Sequence, residues 1–190
     1  LYSWFNGTRN DNFITSDPRW SAFPRGIIFD GEHIVTQRHK DGYGMFRLEG
    51  LIFNPRRPQP RGTVPLYSWW NASRLDNFAS TDPRWSMDPA EIRWNGEHVA
   101  NGRVQDGYTL YRLEGYVYDP HLPQPPNTLP LFGWWHAGRK DNSATTDPAW
   151  SMDPARIRWN GEHISGGPTQ EGATLYRLEG YVPVADPAIR

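Results

Sequence analysis

The sequence Trp-Asn-Gly-Glu-His stands at residues 94–98 and again at residues 159–163, and Phe-Asp-Gly-Glu-His stands at residues 29–33. The identical copies lie 159 − 94 = 65 residues apart. Leu1, Leu66 and Leu131 keep the same step, as do Glu49, Glu114 and Glu179. A fixed period of this length without insertions predicts one structural unit used three times. We expect a single domain with repeats at residues 1–65, 66–130 and 131–190.

The middle repeat has the pattern of β structure. Two short strands are predicted at residues 66–71 and 76–81, and a longer one at 108–118, with Tyr111, Leu113 and Val117 on one face. Asn95-Gly96 predicts a hairpin in which both turn residues take positive φ, and Asp82-Pro83 and Asp88-Pro89 indicate turns or helix starts. With 18 proline and 18 glycine residues, the chain shows no helical stripe of useful length. Four or five short strands are expected in each repeat.

Three such units can bury their sheet edges by closing around a common axis. The sequence therefore predicts an all-β fold with a pseudo-threefold axis and a β-trefoil-like arrangement. A three-bladed propeller-like arrangement is the alternative.

Composition excludes several function classes. The 190 residues carry a formal net charge of −1 and contain no cysteine, so they lack the basic surface that nucleic acids require and any disulfide framework or thiolate metal site. No apolar run reaches the roughly 18 residues of a membrane helix, and no membrane insertion is expected. The chain opens at Leu1, inside the first repeat, which fits a processed mature protein or an excised fragment. From the composition we expect a secreted protein.

Several motifs resemble a family of repeat domains of unknown function. Pro-Leu-Tyr-Ser-Trp-Trp-Asn at residues 65–71, Asp-Asn-Phe-Ala-Ser-Thr at 76–81, Gly-Tyr at 107–108 and Arg-Leu-Glu-Gly-Tyr at 112–116 carry the likeness. That family occurs in secreted bacterial and fungal proteins, often appended to hydrolases, so the resemblance implies secretion and modularity. Asn12, Asn77 and Asn142 replace the family's usual histidine, and the hairpin segment is extra.

The tryptophan pairs are the first candidate site. Trp69-Trp70 and Trp134-Trp135 are neighbours in predicted strands, with Trp4-Phe5 in the first repeat, and successive side chains in a strand face opposite sides. One member of each pair is expected in the core. Trp70 and Trp135 are the predicted platforms for the apolar face of a sugar ring, with packing of both members as the alternative.

Two polar motifs accompany these pairs. Arg-x-Asp-Asn supplies the donors and acceptors that suit sugar hydroxyls, although an internal network that satisfies the turn is the alternative. Gly-Glu-His follows a hairpin turn, a place that suits ligand recognition. A structural role and a metal site of His33, His98 and His163 are the alternatives. The remaining predicted ligand-binding residues are Arg9, Asp11, Asn12, Arg74, Asp76, Asn77, Trp94, Glu97, His98, Arg139, Asp141, Asn142, Trp159, Glu162 and His163. Arg-Leu-Glu-Gly is interpreted as a structural ion network.

No motif of a nucleophile, phosphate loop or metalloprotease is found, so no catalytic residue, metal or cofactor is predicted. The predicted function is non-enzymatic, multivalent carbohydrate binding of lectin type, with a monosaccharide or a cell-surface or cell-wall glycan as partner. The alternative is a protein-interaction or targeting module of a secreted hydrolase, or a protease inhibitor, with a host or appended secreted protein as partner. The first repeat has Ile28 and Phe29 where the others have arginine and tryptophan, and the third has His136, Ser143 and Ala173 where the second has asparagine, phenylalanine and tyrosine. A site that uses such positions is weakened in one repeat, so two strong sites and one weak site are expected.

Overall fold

The chain has an all-β fold, as predicted. A computed structural model describes residues 1–21, 27–31, 33–35 and 39–185. We call residues 1–65, 66–130 and 131–190 the first, second and third segments. The described strands of the first segment are β1 (Tyr2–Asn6), β2 (Asp11–Thr15), β3 (Phe29–Asp30), β4 (His33–Ile34), β5 (His39–Lys40) and β6 (Tyr43–Leu48). Those of the second are β7 (Thr63–Asn71), β8 (Asp76–Ser80), β9 (Trp94–Asn95), β10 (His98–Val99), β11 (Val104–Gln105) and β12 (Tyr108–Tyr118). Those of the third are β13 (Thr128–His136), β14 (Asp141–Thr145), β15 (Trp159–Asn160), β16 (His163–Ile164), β17 (Thr169–Gln170) and β18 (Ala173–Pro183).

The strands pair antiparallel in the same way in each segment. β1 lies between β2 and β6, β7 between β8 and β12, and β13 between β14 and β18. The first segment forms a sheet in the order β2-β1-β6-β5, and the other two share a sheet in the order β14-β13-β18-β12-β7-β8. The pairs β3–β4, β9–β10 and β15–β16 are separate hairpins. Within the described ranges these sheets are open and none closes into a barrel.

The predicted hairpin at residues 94–99 is present, but its predicted turn was wrong. Asn95 pairs with His98 inside the ladder, so Gly96 and Glu97 form the turn and only Gly96 has positive φ, at 59°. Glycine at the first turn position is the pattern of a type II′ turn, which matches strand twist without a second positive φ. A second hairpin was not predicted: Asp106 (φ 50°) and Gly107 (φ 81°) join β11 to β12.

The long strand has the predicted bounds, 108–118, but not the predicted faces. The register shifts between Leu110 and Arg112 and again between Leu113 and Gly115. Each bulge reverses the alternation of side chains. Tyr111 is therefore exposed, whereas Leu113 and Val117 are buried. The bulges also bury Arg112 and Glu114 together.

The predicted turn signals are confirmed as short 3-10 turns that begin at a proline. In each turn, the aspartate before the proline accepts a hydrogen bond from the backbone N–H two residues after it. Asp82 accepts one from Arg84 N at 2.9 Å. The described turns are Pro18–Trp20, Pro83–Trp85, Pro89–Glu91, Pro148–Trp150 and Pro154–Arg156. The turns at residues 18–20, 83–85 and 148–150 end on a tryptophan, namely Trp20, Trp85 or Trp150.

The Arg-Leu-Glu-Gly motifs join the segments. Glu114 is 1% exposed and pairs with Arg112 Nε at 3.1 Å. It also accepts hydrogen bonds from Ser16 N at 2.7 Å and from the Thr15 hydroxyl at 3.0 Å, both in the first segment. In the same way Glu179 binds Thr81 N of the second segment at 2.7 Å. Glu49 binds Thr146 N of the third segment at 2.7 Å.

Apolar side chains from all three segments meet in one cluster. Its buried members are Leu1, Ile14, Leu66, Ala79, Val117, Leu131, Ala144 and Val182. Each segment adds a cluster of its own around Trp4, Trp69 or Trp134, which are at most 1% exposed. Burial of such side chains is the main stabilising term of the fold.

Candidate functional site

The tryptophan pairs divide between core and surface as expected from strand alternation. Trp69 and Trp134 are buried, and the indole nitrogen of each donates to a backbone carbonyl, that of Trp85 or Trp150, at 3.1 and 3.0 Å. Trp70 and Trp135 are half-buried on the opposite face. The second member of each pair is therefore the one available to a ligand.

A tight turn after each pair presents an exposed arginine. Asn71 Oδ1 accepts hydrogen bonds from the backbone N–H groups of Ser73 and Arg74, both at 3.1 Å, and fixes the turn between β7 and β8. In the third segment His136 Nδ1 takes over this role for Arg139 N at 3.0 Å. Arg9, Arg74 and Arg139 thus project from equivalent turns and are exposed.

Three clefts lie between the segments. The first cleft, between the first and second segments, has a volume of about 250 Å³. The second cleft, between the second and third, has about 540 Å³, and the third cleft, between the third and first, about 220 Å³. In the first, second and third clefts, one wall comes from β2, β8 or β14, respectively, and the turns beside that strand. The other wall comes from the second, third or first segment, respectively. A concave site with aromatic walls and a few polar groups is the usual form of a small-molecule site.

The second cleft shows the composition of the two walls. The second segment contributes Arg74, Phe78, Ser80, Asp82, Trp85, Asp106 and Tyr108, and the third contributes Trp135, Asn142, His163, Ile164 and Tyr176. Five aromatic rings therefore face a guanidinium, two carboxylates, an amide and an imidazole. These groups offer both donors and acceptors beside flat apolar surfaces.

The first cleft repeats this set. Arg9, Phe13, Asp17, Trp20, Asp41 and Tyr43 line one wall, and Trp70, Asn77 and Tyr111 line the other. Each of these nine residues is identical to the residue 65 positions later in the second cleft. The third cleft keeps Arg139, Asp147, Trp150 and Asn12 but has Ser143, Glu171, Ala173, Phe5 and Phe46 at the other five positions. It therefore offers fewer hydrogen-bonding side chains.

The predicted aspartates do not lie on the clefts. Asp11, Asp76 and Asp141 are 3–4% exposed, and each places a carboxylate oxygen within 4.8 Å of the other two. Their predicted role as ligand contacts is therefore corrected: β2, β8 and β14 lie next to one another and turn these side chains inward. Each carboxylate is hydrogen-bonded to an asparagine of another segment. Among the described residues this is the group that offers oxygen ligands for a cation.

These hydrogen bonds connect the aspartates to the cleft walls. Asn12 donates to Asp141 at 3.0 Å and Asn142 donates to Asp76 at 3.3 Å. Asn77 donates to Asp11 at 3.4 Å. The Tyr43 hydroxyl donates to Asp11, and the Tyr108 hydroxyl donates to Asp76.

Burial raises the pKa of all three carboxyl groups. The pKa of Asp11 rises to about 6, chiefly through burial and with a contribution from the charge of Asp141. Burial likewise raises the pKa of Asp141 to about 6 and raises that of Asp76. Three negative charges in so small a space disfavour full ionisation.

The histidines lie at the cleft rims rather than together. Arg19 Nη2 lies 2.5 Å from His98 Nε2, and Arg84 Nη2 lies 3.0 Å from His163 Nε2. These arginines pair with Asp17 and Asp82 at 2.5 and 2.6 Å. The third junction has Ala149 in place of the arginine, and His33 Nε2 lies 3.4 Å from Asp147. Burial, and then the charge of Arg19, lower the pKa of His98.

Four other predicted residues lie away from the clefts. Glu97 and Glu162 pair with Arg112 and Arg177 at 2.8 Å. The Arg56 guanidinium lies 4.6 Å from the centre of the Trp94 ring, and the His121 ring 4.5 Å from that of Trp159. These four residues contact linker residues or buried arginines and do not line a cleft, and their role as ligand contacts stays a prediction. Glu32, in the matching motif, lies outside the described residues.

The sequence analysis missed several cleft residues. Asp41, Asp106, Tyr111, Tyr176, Trp20 and Trp85 were not among the predicted contacts, although they line clefts. One signal was available: Asp-Gly at residues 41–42 and 106–107 marks a type I′ hairpin turn that exposes its aspartate. Tyr111 could not be placed, since its exposure depends on the bulge after Leu110.

Comparison with known proteins gives no relative. No protein-family model matches the chain, and no curated protein or solved structure matches it. The family resemblance of the motifs therefore stays a prediction. In the described part of the chain, no helix has the length and apolar character needed to cross a membrane.

Proposed function

We propose that the protein is a non-enzymatic, multivalent carbohydrate-binding protein of lectin type, with its sugar sites in the clefts between segments. In this proposal the three segments surround a pseudo-threefold axis in a β-trefoil-like arrangement. Trp70 and Trp135 are the platforms for sugar rings, and the arginine and asparagine of each cleft bind hydroxyl groups. The predicted secreted location belongs to the same proposal.

Hydrogen bonds between segments support the cyclic arrangement. Glu114 of the second segment binds the first, Glu179 of the third binds the second, and Glu49 of the first binds the third. The asparagine-to-aspartate hydrogen bonds follow the same order of segments. The three segments share one buried apolar cluster, whereas the blades of a propeller surround a central channel. This favours the trefoil-like alternative over the propeller.

The observation that carries the proposal is the matched lining of the first and second clefts. Both combine a half-buried tryptophan with an exposed arginine and an asparagine from neighbouring segments. A flat apolar surface beside fixed donors and acceptors is complementary to a pyranose ring, which has an apolar face and a polar edge. Two such sites on one frame would raise the affinity for a glycan surface through avidity. The third cleft is expected to contribute less, because it has Phe5, Phe46 and Ala173 at the positions of Trp135, Tyr176 and Tyr108 of the second cleft.

A glycan array, followed by calorimetry with the best ligand, tests the proposal. Trp70→Ala and Trp135→Ala should each remove one site, and the double variant should lose array binding. Trp94→Ala is the matched control, since Trp94 lies against Arg56 outside the clefts, and it should bind like the wild type once its fold is verified by circular dichroism. An empty array, or binding that survives in the double variant, would contradict sugar recognition in the clefts.

One observation favours a protein-interaction module as the second candidate. Ile28, Val35, Phe46 and Leu51 of the first segment are 42–58% exposed. The positions 65 residues later hold Arg93, Ala100, Tyr111 and Tyr116. Exposed apolar side chains of this kind are a surface that a protein partner can cover. A partner captured from a secretome through this surface should be retained in the presence of competing sugars and lost in Ile28→Arg.

A further inference from the structure

The first and second segments each contain a packed trio of aromatic rings under the cleft. In the second segment the ring centre of Phe78 lies 4.7 Å from that of Trp85 and 5.0 Å from that of Tyr108. In the first segment Phe13 lies 4.9 Å from Trp20 and 5.0 Å from Tyr43. All four contacts are edge-to-face, which is a favoured geometry for aromatic pairs.

The third segment keeps only the tryptophan of this trio. Ser143 and Ala173 stand at the positions of Phe78 and Tyr108, and both line the third cleft together with Trp150. Within the described part of the chain, the aromatic ring that packs on Trp150 is Trp134, at 5.1 Å. One edge of Trp150 therefore faces the cleft where the other segments have a phenylalanine and a tyrosine.

The backbone around this place is the same in both segments. Thr174 pairs with Trp135 as Thr109 pairs with Trp70, and His136 pairs with Asp141 as Asn71 pairs with Asp76. Ala173 therefore has the same position relative to Asp141 that Tyr108 has relative to Asp76. The two positions differ in the side chain, because Ala173 lacks the phenol ring and hydroxyl of Tyr108.

The missing hydroxyl has a consequence for Asp141. Asp11 and Asp76 each accept a hydrogen bond from a tyrosine hydroxyl. Asp141 instead accepts from the side-chain amide of Asn12 at 3.0 Å and from the backbone N–H of Asn12 at 3.2 Å, and the guanidinium of Arg139 lies at 3.4 Å. A carboxylate has about four acceptor positions, so Asp141 can accept a further donor from the direction of Ala173.

We propose that the third cleft binds a small phenolic compound, whose ring packs against Trp150 in the position of Tyr108 and whose hydroxyl donates to Asp141. The cleft volume of about 220 Å³ is sufficient, since a buried cavity of about 150 Å³ accepts benzene. Phe5 and Phe46 add apolar wall on the first segment. The two strong sugar sites proposed above lie in the other two clefts, so phenol binding in the third cleft can be tested apart from them.

Titration of the intact protein with phenol, followed by ligand-detected NMR and tryptophan fluorescence, tests the site. The wild type should bind one phenol saturably, with a Kd in the low millimolar range or tighter. Fluorobenzene, which has the same shape but no hydroxyl donor, should bind about tenfold more weakly, as expected for the loss of a hydrogen bond to a carboxylate. Equal binding of the two probes, or no saturable phenol binding, would overturn the proposal.

Two reciprocal variants locate the site. Ala173→Tyr restores the ring present in the other segments and should abolish phenol binding; Ala173→Phe, which places a ring at the same position without the hydroxyl, is the second blocking variant. Tyr108→Ala removes the ring from the second segment and should raise the stoichiometry from one phenol to two. Wild-type phenol affinity in both folded blocking variants would show that phenol binds elsewhere and would overturn the assignment.

Discussion

The glutamates 49, 114 and 179 and the aspartates 11, 76 and 141 are all buried, yet they have opposite electrostatic surroundings. Each glutamate pairs with the arginine two residues before it, at 3.0–3.3 Å, and accepts a backbone N–H and a hydroxyl from another segment. The aspartates face one another within 4.8 Å. Asparagine amides are the donors common to all three.

The difference shows that a buried carboxylate can either stabilise or destabilise the contact between two segments. A glutamate with its arginine and donors in place has its charge compensated, and removal of one partner leaves the other uncompensated. The aspartates instead gain from protonation, because burial and mutual repulsion disfavour their charged forms. The proposed sugar sites lie directly above the aspartates, since Tyr43, Tyr108 and the three asparagines belong to both.

The largest effect is expected for Glu114→Ala. This change leaves Arg112 buried, with only its partly exposed partner Glu97, and removes the acceptor of Ser16 and Thr15. The free energy of unfolding should fall by about 3–5 kcal/mol, as measured by chemical denaturation. Glu97→Ala removes the other partner of the same arginine and should cost about 1 kcal/mol. Equal losses in the two variants would contradict a special role of the buried glutamate.

The second effect is a dependence of stability on pH that comes from the aspartates. Their pKa values are raised in the folded state, from 3.8 to about 6 for Asp11 and Asp141, so the folded protein binds protons more tightly than the unfolded chain. This stabilisation is complete below about pH 4 and is lost as the pH rises through about 6. For a single group the loss is about 2–3 kcal/mol.

Thermal unfolding between pH 4 and pH 8 measures this dependence. The midpoint should fall as the pH rises, and Asp11→Asn, which removes one of the three charges, should flatten the curve. Asp17 and Asp82 act in the opposite direction. Burial alone would raise the pKa of each, but hydrogen bonds from Arg19 and Arg84 outweigh burial and lower it. Their stabilisation is lost below about pH 4. A midpoint that rises steadily from pH 4 to pH 8 would disprove the repulsion among the aspartates.

A smaller effect is expected for Tyr108→Phe. The change removes the hydroxyl donor to Asp76 while it keeps the ring contacts with Phe78 and Trp85. The unfolding free energy should fall by about 1.5 kcal/mol at pH 8, and the loss should become smaller as the pH is lowered, because burial raises the pKa of Asp76 and a protonated carboxyl is a weaker acceptor. Tyr111→Phe is the control, because Tyr111 is exposed. A loss that does not change with pH would show that the hydroxyl does not stabilise the carboxylate.

The comparison also shows what the sequence could and could not predict. Strand alternation was sufficient to assign one tryptophan of each pair to the core, and the length of the run 108–118 gave the bounds of β12. The clefts were not predictable from one repeat, because each joins residues such as Arg74 and Trp135 from different segments. The burial of Asp76 was not predictable for the same reason, because its neighbours Asn142, Asp11 and Asp141 are all at least 65 positions away in the chain. A pattern within one repeat contains no information about such neighbours.

The smallest effect is expected at the cleft rim, for Arg19→Ala. The Asp17–Arg19 pair has a half-exposed arginine, so the unfolding free energy should fall by about 0.5 kcal/mol. The variant reproduces in the first cleft the alanine that the third junction carries at residue 149. Because the charge of Arg19 helps to lower the pKa of His98, that pKa should rise, as measured by NMR titration of the imidazole. Arg57→Ala, an exposed arginine in the linker, should leave the pKa of His98 unchanged. An unchanged pKa in Arg19→Ala would show that burial alone sets the titration of this histidine.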